Sequence, residues 1–272
     1  MARQSGTTAF DVPWYDAAPG NGAHQQPADR AVIPRPGGAQ VPNQYEMAQR
    51  ARPRKDMKDD DFMLVEGGQF LMGDISGDFA RDSRPVHRVV LGAFSIARFP
   101  VTQKLWSGIM ANNPSNKKGA MSPVEMVSWF DAVDFCNRLW LPTEAEWKYA
   151  ARSGKHAEKH AYAGGDDINE VAWYKGNSME TKHEVGMKKP NRLGICDMSG
   201  NVWEWCWDKY GYYPKADTAD PRGPERGEAR VYRGGSYIDF EYGCSVSIRG
   251  KRNPGLRQVD IGFRLARSGR TP

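Results

Sequence analysis

The stretch that most constrains this 272-residue chain is Gly194–Asp208, which reads GICDMSGNVWEWCWD. Its tryptophans alternate, so an extended strand places Trp203, Trp205 and Trp207 on one face and the residues between them on the other. A segment so rich in tryptophan needs a buried environment on the face that carries those rings. The pattern therefore predicts a core strand that follows a tight Ser-Gly-Asn turn.

The turn before this strand is surrounded by Asp197, Gly200, Asn201 and Glu204. Two carboxylates and nearby backbone carbonyls can meet on one hard cation, which is how oxygen-ligand calcium sites are built. The alternative is a core strand whose carboxylates accept hydrogen bonds from the backbone. The residues by themselves leave both interpretations open.

Composition excludes several classes of protein. The net charge of +5 is spread along the chain, which gives no basic stripe for nucleic acid. No run approaches 18 apolar residues, so no transmembrane helix is predicted. The first ten residues lack an apolar signal core, so secretion by that route is not indicated and the cytoplasm is the default expectation. The four cysteines lack CxxC spacing, which favours buried free thiols over a zinc site or a disulfide framework.

Residues 1–61 are predicted to form an extended or disordered N-terminal arm. They are rich in Pro, Gly, Gln and Ala without periodicity, and such a segment cannot bury enough apolar surface to fold alone. Trp14 and Tyr15 are its strongest anchors. We expect the arm to become ordered only against a partner, and we expect the folded domain to span residues 62–270.

Strand and helix signals follow in order after the arm. Residues 62–74 are predicted to form two strands joined by a Gly-Gly hairpin turn, and residues 85–100 form further strands. Three helices are predicted from their capping residues. The caps are Thr102 for the first helix, Ser128 with Asp131 for the second, and Thr143 with Glu146 for the third.

Four ordered motifs carry a family resemblance: LPTEAEWKYAAR, GNVWEWCWD, RVYRGGSY and GFRLAR. With VEGGQFLMGD, PVHRV and FPVTQ before them, they resemble the formylglycine-generating-enzyme (sulfatase-modifying factor) domain family over about residues 63–267. The fold that this resemblance implies is an α+β, irregular and loop-rich C-type-lectin-like domain. The same resemblance implies a structural calcium ion held by Asp197 and Glu204 through side chains, and by Gly200 and Val202 through carbonyls.

Catalytic members of this family use two cysteines that bind copper(I), five residues apart after the RGGS motif. In this chain the first position is Asp239 and the second is Cys244. One thiolate and one carboxylate make a poor copper(I) site, because copper(I) prefers soft sulfur ligands. No copper and no catalysis are therefore expected, and a copper-dependent oxidase is the alternative.

The C-terminal stretch after Ser236 resembles the variable region that closes the variable proteins of diversity-generating retroelements. Those proteins share this fold and bind ligands through that surface, whereas an ordinary closing surface is the alternative. Exposed aromatic and adaptable polar side chains on a fixed scaffold are typical of a binding face. The residues predicted to bind a ligand are Ile238, Asp239, Phe240, Tyr242, Ile248, Lys251, Arg252, Asn253, Leu256, Gln258 and Asp260.

Arginines in this region fall into two predicted groups. Arg249, Arg252 and Arg257 are expected to form exposed ion pairs with Glu241 that contribute little to stability. Arg233 and Arg264 lie inside family motifs and are expected to tie loops together by hydrogen bonds.

These observations together predict a non-catalytic binding protein of the sulfatase-modifying-factor family. It would recognise a protein or ligand through its C-terminal surface, or serve as an accessory subunit of a larger assembly contacted by the N-terminal arm. Its expected partners are proteins, and neither nucleic acid nor a membrane span is expected.

Overall fold

The computed structural model describes residues 58, 61–75, 81–136, 139–156 and 159–268, so almost all of the predicted arm lies outside the described residues. Within the described part, no helix combines the length and apolar character that crossing a bilayer requires. The helices are α1 (Gln103–Met110), α2 (Trp129–Cys136), α3 (Glu144–Ala151) and α4 (Ile168–Val171). The strands are β1 (Phe62–Val65), β2 (Gly68–Met72), β3 (His87–Leu91), β4 (Phe94–Ala97), β5 (Trp203–Lys209), β6 (Thr218–Ala219), β7 (Arg230–Arg233), β8 (Arg249–Arg252), β9 (Ile261–Gly262) and β10 (Ala266–Ser268).

Ten short strands form three small sheets, in the orders β1-β4-β10, β2-β3-β6 and β8-β7-β5-β9. The predicted hairpin between β1 and β2 is wrong, since β1 pairs with β4 and β2 pairs with β3. Gly67 carries the chain from one sheet to the other, where a Cβ atom would lie 2.9 Å from the carbonyl oxygen of Leu91. A Gly-Gly pair can therefore mark a close backbone approach instead of a hairpin turn. The mixed, loop-rich α+β architecture predicted from the motifs is confirmed.

The three capping predictions are confirmed. The Thr102 hydroxyl caps α1. The Asp131 carboxylate accepts a hydrogen bond from the Ser128 backbone at 2.8 Å, and the Asp131 backbone donates to the Ser128 hydroxyl at 3.1 Å. Thr143 and Glu146 form the same reciprocal arrangement at α3, at 3.2 and 2.8 Å. Each box satisfies two backbone donors that a helix start would otherwise leave unpaired.

The tryptophan-rich strand β5 separates two hydrophobic cores, as the alternation predicts. Trp203 and Trp205 pack into the core that contains α2, whereas Cys206 packs into the core that contains α3. The core that contains α2 is attached to the strand by two indole hydrogen bonds. The Trp205 indole donates to the Val127 carbonyl at 3.1 Å, and the Trp129 indole donates to the Cys206 carbonyl at 2.9 Å.

Buried arginines hold the loops to the sheets, and this prediction is confirmed. Arg264 donates to both carboxylate oxygens of Glu204 at 2.6 Å and to the carbonyls of Ala97 and Cys196 at 3.0 and 2.9 Å. Arg233 donates to two carbonyl oxygens of the loop before β8. These bonds satisfy buried backbone acceptors in segments that lack regular secondary structure.

The prediction of an exposed Arg249 is wrong. Its side chain is buried and donates to both oxygens of Glu144, at 2.6 and 2.8 Å. Arg249 begins β8, opposite Arg233 on β7, and this register turns it toward the start of α3. Arg257 does form a half-exposed ion pair, with Asp131. The four cysteines are buried and unbridged, as predicted.

Candidate functional site

A cavity of about 530 Å³ opens between the β5-β7 part of the sheet and the C-terminal loops. Five residues of the predicted binding set line it: Ile238, Asp239, Arg252, Gln258 and Asp260. Five further residues, which were not in the predicted set, complete the lining: Met126, Trp203, Tyr232, Arg257 and Val259. The sequence carried no signal that would bring Met126 to this place, since the contact depends on the fold of distant segments.

The aromatic part of the cavity is built by the sheet. Trp203 and Tyr232 meet edge to face, with ring centroids 4.8 Å apart. Gly250 lies opposite Tyr232 across the β7-β8 pair, and a Cβ atom there would lie 2.1 Å from the Tyr232 ring. The ring occupies its position because residue 250 has no side chain.

Backbone hydrogen bonds fix the loop after β8 along the other side of the cavity. The Trp203 amide donates to the Asp260 carbonyl at 2.8 Å, and the Met126 amide donates to the Gln258 carbonyl at 2.9 Å. The same loop is held to the start of α2 by Arg257, which donates to Asp131 at 2.8 Å. Side chains of the loop are therefore presented from a constrained backbone.

Two carboxylates of the cavity share one hydroxyl group. Ser236 Oγ lies 2.5 Å from Asp239 Oδ2 and 3.2 Å from Asp260 Oδ2. The Ser236 amide and the Trp203 indole also donate to Asp239, so Asp239 is the better satisfied of the two. Burial raises the pKa of Asp239, and burial together with the charge of Asp239 raises the pKa of Asp260 to about 6.

The cationic groups of the cavity have other partners. Arg257 pairs with Asp131, and Arg252 hydrogen-bonds with Tyr232. In the part of the chain that the structure describes, neither Asp239 nor Asp260 forms a salt bridge. The cavity thus combines an aromatic wall with two half-buried carboxylates that lack a paired cation.

The remaining predicted binding residues lie outside the cavity lining. Phe240 and Tyr242 are exposed and stack on each other, with Lys175 over the Phe240 ring. The other four are spread along the rest of the stretch. Leu256 is exposed, Lys251 lies over the Tyr210 ring, Asn253 accepts a hydrogen bond from the Gly255 amide, and Ile248 is partly buried against the core.

The position that corresponds to the copper cysteines does not fit copper(I). Cys244 is fully buried and packs against Ile168, Val171 and Tyr174. Burial and the nearby charge of Asp239 raise the pKa of the Cys244 thiol well above its usual range. Asp239 offers hard oxygen where the resemblance places the second sulfur, and copper(I) prefers two soft sulfur ligands.

The predicted calcium ligands meet at the turn before β5. Asp197 Oδ2 accepts from the Gly186 amide at 2.7 Å, whereas Oδ1 has only a 3.5 Å contact with Asn201. Glu204 Oε2 accepts from Arg264 and from the Trp147 indole at 2.6 and 2.7 Å, and Oε1 accepts from Arg264 at 2.6 Å. A carboxylate has about four acceptor positions, so one position remains to bind a cation. The oxygen donors fit a hard cation. No cluster of three or more His, Cys, Asp or Glu suited to a metal occurs among the described residues, so carbonyls and water would complete the site.

This turn needs the glycine at position 200. Its φ is +75°, and a Cβ atom would lie 2.2 Å from the Trp173 carbonyl oxygen. The Gly200 amide donates to the Gly234 carbonyl at 2.7 Å, and the Asn201 amide donates to the Trp173 carbonyl at 2.8 Å. Gly200 and Asn201 thus connect the turn by hydrogen bonds to two distant segments, which contain Gly234 and Trp173.

Comparison with known proteins gives a consistent result. The model of the sulfatase-modifying factor enzyme 1-like domain matches residues 47–269. The chain is 32% identical to the chaperone protein LppX of Paenibacillus barcinonensis, over 77% of this chain and 90% of that protein. It is 30% identical to the formylglycine-generating enzyme of Streptomyces coelicolor, over 79% of this chain and 91% of that enzyme. Among solved structures, variable protein 1 of Treponema denticola superposes with a TM-score of 0.70 at 30% identity, covering 76% of this chain and 94% of that one.

Proposed function

Because the chain belongs to the sulfatase-modifying factor enzyme 1-like domain family, we propose that it is a non-catalytic member that binds a ligand in the cavity between Trp203, Tyr232 and the C-terminal loops. The family contains formylglycine-generating enzymes and other proteins, so membership alone is compatible with either kind of function. The observation that carries the proposal is the convergence of the C-terminal stretch on one constrained cavity, where Asp239 replaces a copper-binding cysteine.

Three features support binding without catalysis. The cavity is concave and partly aromatic, with a few polar groups aimed into it, which is typical of small-ligand sites. Its loops are fixed by backbone hydrogen bonds, so little ordering would oppose binding. Variable protein 1 of Treponema denticola shares the fold over 76% of the chain.

The proposal is tested with a binding panel of cationic, anionic, neutral polar and aromatic small molecules, short peptides and glycans. Val259→Trp places an indole in the cavity lining, and Leu71→Trp places one at an exposed apolar position on β2 as the matched control. At least one ligand should bind the natural chain and Leu71→Trp equally. Its affinity for Val259→Trp should fall at least tenfold, because the cavity is filled.

Two results would contradict the proposal. One is a panel in which every ligand binds Val259→Trp as well as it binds the natural chain, or in which nothing binds. The other is stoichiometric binding of copper(I) accompanied by oxidation of a cysteine-containing peptide in air.

The accessory-subunit hypothesis depends on the arm of residues 1–61, which lies almost wholly outside the described residues and stays a prediction. Protein partners are compatible with the exposed aromatic pair Phe240 and Tyr242, which borders the same C-terminal stretch.

We further propose a structural calcium ion at the turn before β5. Its ligands would be the carboxylates of Asp197 and Glu204 and the carbonyl oxygens of Gly200 and Val202. The support is the spare acceptor capacity of Asp197 Oδ1 and of Glu204 in a turn whose backbone is already fixed.

A further inference from the structure

The cavity contains two neighbouring carboxylates, Asp239 and Asp260, and neither forms a salt bridge with a described residue. Asp239 accepts hydrogen bonds from Ser236 and from the Trp203 indole, which supports its negative charge. Asp260 accepts fewer hydrogen bonds: one from its own backbone amide and one from the Ser236 hydroxyl, which has a single hydrogen and lies closer to Asp239. A half-buried carboxylate beside a second one is electrostatically unfavourable unless a cation joins them.

The arginines that line the cavity do not form a salt bridge with Asp239 or Asp260. Arg257 is taken by both oxygens of Asp131. Arg252 is exposed, shares a hydrogen bond with Tyr232 and forms no salt bridge with Asp260, although its charge contributes slightly to favouring the ionised form of Asp260. No described Lys, Arg or His lies within salt-bridge distance of Asp239 or Asp260.

The uncharged part of the cavity suits the same kind of ligand. Trp203 and Tyr232 meet at 84°, so one ring turns its face where the other turns its edge. Aromatic faces attract ammonium and guanidinium groups, and they also pack against a methylene stem. A volume of about 530 Å³ is ample for a side chain of the size of lysine or arginine.

We propose that the ligand of this cavity is an organic cation, an ammonium or guanidinium group on an apolar stem, that lies between the Asp239–Asp260 pair and the Trp203–Tyr232 rings. This inference rests on the proposed binding function and names its ligand class. The cation can be presented by a lysine or arginine of a partner protein or by a free amine, because the recognised chemistry is the same.

The test uses the full chain and follows the Trp203 indole N–H by NMR during titration, assigned with Trp203→Phe. The probes are Nα-acetyl-lysine amide, its Nε-acetylated neutral counterpart, n-pentylamine and pentanoate. Nα-acetyl-lysine amide should shift the Trp203 signal and bind at least tenfold more tightly than its neutral counterpart. Tighter binding of the lysine derivative than of n-pentylamine identifies a protein side chain as the source, and the reverse order identifies a free amine.

Two variants of opposite sign sharpen the result. Asp260→Asn keeps the size of the side chain and should weaken cation binding at least tenfold. Arg252→Gln removes a positive charge from the cavity lining and should strengthen cation binding a few fold. An unfolded variant is recognised by the loss of dispersion in its NMR spectrum, and Asp260→Ser then replaces Asp260→Asn.

The outcomes separate this inference from the broader proposal. Equal binding of the neutral and charged lysine derivatives, or unchanged affinity in Asp260→Asn, overturns the cation assignment. If a neutral or anionic ligand binds the natural chain and binds Val259→Trp at least tenfold more weakly, the binding function stands and only the ligand class is wrong. If no ligand at all is sensitive to Val259→Trp, both are wrong.

Discussion

Two buried carboxylates of the described residues differ in whether they form an ion pair with an arginine. Glu144 pairs with Arg249, and although burial opposes ionisation, the Arg249 and Arg233 charges bring its pKa below the usual value. Asp208 is also buried, and it accepts only the Glu144 amide at 2.8 Å. Burial and the Glu144 charge raise the pKa of Asp208 to about 8. Asp208 is therefore mainly neutral at pH 7 in the folded chain.

Asp208→Asn should remove part of the pH dependence of stability. The folded state holds the Asp208 proton more tightly than the unfolded state, whose pKa is near 3.8, so unfolding free energy is lost as pH rises from about 4 to about 8. The stability of Asp208→Asn relative to the natural chain should rise by up to roughly 1.4 kcal/mol for each pH unit in that range. Urea denaturation at half-unit pH intervals measures this difference.

Asp217→Asn is the control, because its side chain is 63% exposed. Its free energy of unfolding should differ little from that of the natural chain, because an exposed ion pair contributes little to stability. A difference between Asp208→Asn and the natural chain that does not change with pH would contradict the raised pKa of Asp208.

The calcium proposal is tested by Asp197→Asn, which keeps an acceptor for the Gly186 amide but removes the charge that a cation needs. The thermal midpoint of the natural chain should rise when calcium replaces a chelator. Calcium at a hundredfold excess over its Kd would add about 2.7 kcal/mol to the free energy of unfolding. Asp197→Asn should lose this shift, whereas Asp217→Asn should keep it. Identical midpoints of the natural chain with calcium and with chelator would reject the site.

At the scale of elements, α3 shows what local sequence can specify. Every residue from Glu144 to Ala151 is buried, so the helix has no solvent-facing side to reveal by periodicity. Its capping residues still predict where the helix begins, because a Thr with a Glu three positions later satisfies two backbone donors whether the helix is buried or exposed.

Thr143→Ala should destabilise the chain by about 0.5–2 kcal/mol, because it removes the side chain that accepts the Glu146 amide. Thr102→Ala should cost less. The Thr102 cap is half-exposed, so water can replace its hydrogen bond, and α1 has no acidic side chain in its first turn. Denaturant midpoints at constant slope give both values, and a larger loss for Thr102→Ala would contradict this ranking.

Strand pairing was less predictable than the helix starts. The strands β1 and β2 were located correctly from residues 62–74, but their partners were not. A hairpin is the nearest pairing available to adjacent strands, and only long-range contacts with β4 and β3 decide against it. The same is true of Arg249, whose burial follows from the β7-β8 register and not from its neighbours in sequence.

At the scale of the molecule, the two larger hydrophobic cores, as far as the described residues show them, run from Phe62 to Leu265. Removal of residues 1–57 should therefore leave a folded domain whose thermal midpoint stays within a few degrees of that of the full chain. Binding of the cavity ligand should be unchanged in the same truncated chain. A truncated chain that loses its cooperative unfolding would show that the arm is part of the domain.

The sequence by itself determined the family, the fold class, the caps of the helices and the burial of β5. These properties are encoded locally, in motifs and alternation that act over a few residues. Only the tertiary structure decided which of the predicted residues meet in one cavity and that Met126, Trp203 and Tyr232 help to complete it. It also decided that Asp239 and Asp260 share the Ser236 hydroxyl and form no salt bridge with any described residue. Those facts depend on contacts between segments up to about 130 residues apart, and pairing at that distance is set by how the whole chain packs.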